Sequence, residues 1–144
     1  MYKQPDEKPT QTSYQVVATP RYLLLEGKDP IGPVLMLPSS LTACFAVYGF
    51  SGKPAYDRFV ANSDRELRPY PLMKGYLQNR AAAENTQLNL VVLDADGPSQ
   101  QIVAAVTMDA ALTAQLVEAS QVDADYQLNL VPQTGVYRFS ESSA

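Results

Sequence analysis

The sequence predicts a single small α+β domain, an antiparallel or mixed β-sheet with about three helices packed on it. Three observations lead there. Short apolar runs with period-2 alternation recur along the chain, apolar stripes at helical spacing interrupt them, and turn residues lie between. At 144 residues the chain has the size of one ordinary domain, and 46% apolar with 18% charged residues is a globular composition. Eleven prolines imply many turns and few long helices.

The elements follow in order. "MYKQPDEKPTQT" is polar, contains proline and lacks an apolar h-region, so residues 1–13 are predicted as a disordered polar leader before a domain spanning 14–144. "SYQVVATPRYLLLEG" gives two strand-like runs, Tyr14–Ala18 and Arg21–Glu26, split by Pro20. The turn-rich "GKDPIGP" leads into "VLMLP", which makes a hairpin the natural expectation. "LTACFAVYGF" fits either a strand or a buried helix.

"SGKPAYDRFVANS" is predicted helical, with Pro54 near its first position and Tyr56, Phe59 and Val60 along one face. "RPYP" breaks the chain. "PLMKGYLQNRAAAEN" then predicts a second helix with a stripe of Leu72, Met73, Tyr76 and Leu77.

In "TQLNLVVLD", Leu88, Leu90 and Val92 alternate with Gln87, Asn89 and Val91, the pattern of a half-buried strand. "QIVAAVTM" predicts another strand. "DAALTAQLVEAS" predicts a helix capped by Asp109 with Leu112, Leu116 and Val117 on one face. "YQLNLV" and "VYRFS" predict two strands around the turn "PQTG". The span from strand 101–108 through the helix to strand 126–131 is long enough for a βαβ crossover. "QLNLV" occurs at 87–91 and again at 127–131, which two strands with the same alternation explain more simply than a repeat architecture.

Composition narrows the function. The chain has no histidine, which removes Ser-His-Asp and Cys-His nucleophiles and the usual zinc and non-haem iron sites. Cys44 is the single cysteine, so no intrachain disulfide forms, and its apolar setting in "TACFAVYGF" suits an inert packing thiol in a cytoplasmic protein. Residues 30–52 carry no charge, but Pro30, Pro33 and Pro38 rule out one spanning helix over the first half, and no membrane span is predicted.

"LNLVVLDADGPSQ" brings Asp94 and Asp96 to the end of an apolar run. Strand followed by D-x-D-G is similar to the first motif of the haloacid dehalogenase phosphatases, where the first aspartate is nucleophile, the second acid/base, and both hold magnesium. The resemblance implies those roles for Asp94 and Asp96. It departs from the family at Pro98, where threonine or valine is expected, and no lysine or arginine lies from Ala81 to Tyr137. A calcium loop counted from Asp94 would need oxygen ligands at Pro98 and Ala105. The stretch therefore reads as a hairpin loop, since Asp and Gly accept the backbone angles it requires.

Charge is uneven. Residues 1–80 carry ten Lys/Arg against seven Asp/Glu, while residues 81–144 carry Arg138 alone against eight acids, making the stated net charge of −4. Lys53, Arg58, Arg65, Arg68, Lys74 and Arg80 fall within thirty positions, interleaved with Tyr56, Phe59, Tyr70 and Tyr76. Arginine with tyrosine is the mixture enriched at interface hot spots and also suits anionic groups. The net acidity and the absence of any nucleic-acid motif disfavour a nucleic-acid partner. The expected function is a non-catalytic interaction or accessory subunit that binds a protein partner and needs no cofactor. The alternatives are a small carboxylate or magnesium-dependent enzyme using Asp94 and Asp96, and a module binding a small anion on the 53–80 segment.

Overall fold

A computed structural model describes residues 15–37, 43–72, 75–77 and 88–140. The apolar runs form strands β1 (Gln15–Ala18), β2 (Tyr22–Glu26), β3 (Asp29–Pro30), β4 (Val34–Met36) and β5 (Cys44–Phe50). Helix α1 (Lys53–Ala61), strand β6 (Arg68–Pro71) and the helical residues 75–77, here α2, come next. The second half holds β7 (Leu88–Leu93), β8 (Ile102–Thr107), α3 (Met108–Leu116), β9 (Gln121–Ala124), β10 (Tyr126–Leu130) and β11 (Val136–Phe139). The result is the expected α+β fold with a mixed sheet. Residues 1–14, where the leader is expected, lie outside the described residues, as does most of the second predicted helix.

One mixed sheet runs β3-β2-β5-β7-β8-β10-β11-β4, with β6 added on β2, and β1 pairs β9 in a separate ribbon. The order has an unexpected property. Its two ends, β3 and β4, are separated in the chain only by Ile31, Gly32 and Pro33. The sheet must therefore curl until its ends meet. Ile31 marks the meeting point: its amide donates to the Leu24 carbonyl on β2, and its carbonyl accepts from the Tyr48 amide on β5. Gly32 then presses on the Ala46 carbonyl of β5, so closely that a Cβ there would overlap it.

Curling creates an inside and an outside. Even-numbered residues of β5 and β7 (Tyr48, Phe50, Leu90, Val92) join Val103, Ala105, Leu128 and Tyr137 in the inner core. Phe59 of α1 fits against it, its ring 4.7 Å from Tyr48 and 5.5 Å from Phe50. Odd-numbered Val47, Val91 and Leu93 face outward and pack under Met108 and Ala111 of α3. β7 is thus buried on both faces rather than half-buried, because α3 covers the face that polar alternation seemed to leave to water.

Several expectations change. The segment 44–50 is a strand, paired in parallel with β7. β4 does not fold back on β2 as a hairpin: it runs parallel to β11, with Met36 opposite Arg138. β8 and β10 are antiparallel neighbours, so the helix between them is no βαβ crossover. The parallel connection is β5 to β7, and the residues between them supply α1, β6 and α2. Thr107, not Asp109, caps α3, its hydroxyl accepting from the Ala110 amide. That helix buries Met108, Ala111 and Ala114, while Leu116 and Val117 are exposed, because small side chains let it lie close on β7 and β8.

"RPYP" is a strand. Leu23 faces Tyr70 and Leu25 faces Arg68, and the Leu72 amide donates to the Arg21 carbonyl. By strand alternation Arg68, Tyr70 and Leu72 point their amides at β2, which turns the nitrogens of Pro69 and Pro71 outward. Proline has no hydrogen to donate there, so it fits only such an edge.

Closure at Gly32 can be tested directly. Gly32→Ala is expected to destabilise the fold by about 1–3 kcal/mol, because backbone rather than a flexible side chain must yield. Urea unfolding would show it as a lower midpoint; an unchanged midpoint would mean that the chain closes differently.

Candidate functional site

Two regions carry the residues that the sequence singles out. The first is the loop from β7 to β8. Asp94 sits at φ 53, in the left-handed region that aspartate tolerates, and its amide donates to the Gly49 carbonyl. Its carboxylate accepts from Ser51 twice, from the amide at 2.8 Å and from the hydroxyl at 2.7 Å. Both oxygens are thereby used to fasten the β5–α1 junction to the β7–β8 loop. Asp96 lies further out, with Arg58 Nε donating to it at 3.0 Å and Asn62 donating to its carbonyl. Gly97 is required for space, since a Cβ would lie 2.9 Å from the Asn62 side chain. Tyr137 reaches this loop from inside, its hydroxyl donating to the Gln100 carbonyl. The loop joins two antiparallel strands, so it is the hairpin that its composition predicts. No group of three or more carboxylate or cysteine side chains suited to a metal occurs among the described residues.

The second region is the basic and aromatic segment, which the fold divides. Lys53, Tyr56 and Arg58 lie on α1: Lys53 pairs with Asp57, Arg58 with Asp96, and the Tyr56 ring stacks edge-on against Tyr22 at 5.3 Å. Arg65 forms a two-armed pair with Glu26, whose carboxyl is held below its usual range by that guanidinium. Lys74 and Arg80 lie outside the described residues. The remaining members, Arg68, Tyr70 and Tyr76, come together on one groove.

This groove has a volume of about 1100 Å³. Leu23 and Leu25 of β2 line it with Arg68 and Tyr70 of β6, because directly opposed residues of paired strands share a face. Lys28, Pro30, Leu72 and Tyr76 continue the lining with Pro71 and Gly75. Gln115 of α3 also lines it, donating to the Pro20 and Leu72 carbonyls at 3.2 and 3.3 Å. Tyr70 is 45% exposed. Among the described residues Lys28 and Arg68 are the charged members of the lining, both positive. Arg68 spends one amino group on the Gly27 carbonyl, at 3.1 Å, which fixes its side chain at the rim.

Sequence inspection finds Arg68, Tyr70 and Tyr76 but misses Leu23, Leu25, Lys28 and Gln115. Those four come from elements far apart in the chain, and no local pattern links them. Cys44 is half-buried at the start of β5, packed against the inner core, and burial pushes its thiol up to about 11. Among the described residues no helix is long and apolar enough to cross a membrane. No family model matches the chain, and neither a curated protein nor a solved structure matches it.

The two aspartates should behave differently. Asp94→Ala leaves the Ser51 amide and hydroxyl without their acceptors and is expected to cost about 1–3 kcal/mol. Asp96→Ala removes only an exposed pair and should cost less than about 1 kcal/mol. Chemical denaturation of both variants decides between this ordering and its reverse. For Cys44, native-state alkylation should be slow at pH 8, where only about one thiol in a thousand is ionised, and should quicken about tenfold per pH unit up to pH 10. A rate that levels off near pH 8 would contradict it.

Proposed function

We propose that this chain is a non-catalytic accessory subunit that binds a protein partner in the groove between β2–β6 and α2. The observation that carries the reading is the groove itself. Its volume of about 1100 Å³ lies at the upper end of the roughly 300–1,000 Å³ typical of ligand pockets, and three leucines and two tyrosines stand in its lining. Tyrosine and arginine, present here as Tyr70 on the apolar floor and Arg68 at its rim, are enriched among the residues that dominate binding energy between proteins. Both are positioned by rigid elements, Tyr70 on β6 paired with β2 and Arg68 by its bond to Gly27.

The catalytic alternative has less support. Both oxygens of Asp94 are engaged by Ser51, and Asp96 is paired with Arg58. A magnesium ion there would have to share the Asp94 oxygens and Asp96 Oδ1 with these partners. The small-anion alternative on residues 53–80 is weakened because Lys53, Arg58 and Arg65 each already hold an acidic side chain. A cytoplasmic setting accords with a lone cysteine in an apolar environment.

A photo-crosslinking residue in place of Tyr70 tests the reading in host extract. A discrete adduct with another protein is expected from position 70 and none from position 102, where Ile102 is also exposed but far from the groove lining. Adding Tyr70→Glu to an unlabelled competitor should abolish its ability to suppress the adduct, with its melting temperature within about 2 °C of the parent. Equal labelling from both positions would refute the assignment.

A further inference from the structure

We infer that the groove receives an acidic amphipathic helix of the partner, docked by its side chains rather than added to the sheet as a strand. This rests on the groove being the binding surface. Two independent observations specify the occupant.

The first is the missing hydrogen-bond donors at the edge. An extended peptide binds a sheet by exchanging main-chain hydrogen bonds with an exposed strand, and those bonds supply most of its affinity. β6 is the strand that borders the groove, and its inner amides are spent on β2. Its outward amide positions are Pro69 and Pro71. An added strand would find carbonyl acceptors there and no donors, so its own carbonyls would lose water without replacement, at about 1–3 kcal/mol each by the usual cost of an orphaned polar group. A helix has no such need: its backbone groups are satisfied internally, and it presents only side chains.

The second is charge. The apolar floor of Leu23, Leu25 and Tyr70 is bordered by Lys28 and Arg68, and among the described residues no acidic one lines the groove. Lys28 has no salt bridge among the described residues. Arg68 uses one arm on Gly27 and keeps its other donors. Apolar side chains at i, i+3 or i+4 and i+7 would fill the floor, while Glu or Asp beside them would meet the two cations. A basic helix would bring like charges together, with no anion among the described lining residues to offset them.

The test uses the full chain and three fluorescein-labelled peptides of about 15 residues, read by fluorescence anisotropy. One is a stapled helix with a Leu/Phe face flanked by Glu. The second has Lys in place of Glu. The third shares the acidic composition but contains prolines that hold it extended. The acidic helix should bind at least about tenfold more tightly than either of the others, and the margin over the basic helix should shrink as salt is raised. Lys28→Glu with Arg68→Glu should reverse the preference between acidic and basic helices, and Tyr70→Ala should weaken both. Lys28→Glu alone disturbs no hydrogen bond described here and keeps the charge comparison readable if Arg68→Glu lowers stability. Indifference to charge, or preference for the extended peptide, with binding still weakened by Tyr70→Ala would overturn this inference and leave the groove as the binding surface. Absence of any binding sensitive to Tyr70→Ala would overturn both.

Discussion

The structure depends on the closure of its sheet through residues 29–36. A twisted sheet with both ends open would leave two rows of unpaired backbone groups and an inner face in contact with water. Here one short segment serves as both ends. It pairs with β2 through Asp29 and Pro30, and with β11 through Val34, Leu35 and Met36. Between them Ile31 bonds to β2 and β5 together. The contact is possible because Gly32 has no side chain where the Ala46 carbonyl lies. The inner core exists because of it: Tyr48, Leu90, Val103, Leu128 and Tyr137 come from strands that would otherwise lie in a row.

Two other features follow from the same curl. Closing the sheet leaves an open end, and α1 covers it with Ala55 and Phe59, with Asp94 and Ser51 fixing the loop that carries the helix. It also leaves β2 with more length than β5 can pair, since β5 is matched only to Tyr22 and Leu23. β6 takes the other side of β2, along Tyr22 to Leu25. The outward side chains of these two strands then have no layer of the main sheet above them. That step in the architecture is the groove.

Much of the fold is legible in the sequence, and the exceptions have physical reasons. β8, β10 and β11 are visible because their alternation reflects real differences in burial. "RPYP" hides a strand because the propensity of proline describes the isolated chain, whereas an edge position makes its missing hydrogen harmless. β9, "QVDA", hides because it is polar and paired with the equally short β1. The helical stripe of Leu112, Leu116 and Val117 holds only for Leu112, which packs on the outer core, because size, not hydrophobicity alone, decides which face of α3 can approach the sheet. The role of Asp94 as a fastener to Ser51 spans 43 positions and leaves no local mark. The groove is the least legible feature, being assembled from β2, β6, α2 and α3.

The pairing of β4 with β11 joins residues 34–36 to residues 136–138, about as distant as this chain allows. Such a pair must close a long loop before it contributes any contact, at an entropic cost that rises with the logarithm of that separation and slows folding. During synthesis, therefore, the first strands leave the ribosome without the partner that completes their sheet. β2 has its partners β3, β5 and β6 by Pro71, but the inner face that they share with the later strands is closed only when β11 emerges. The β7–β8 hairpin and the β10–β11 hairpin can pair locally as soon as they appear. Closure of the sheet thus waits for β11, long after β4 has been made.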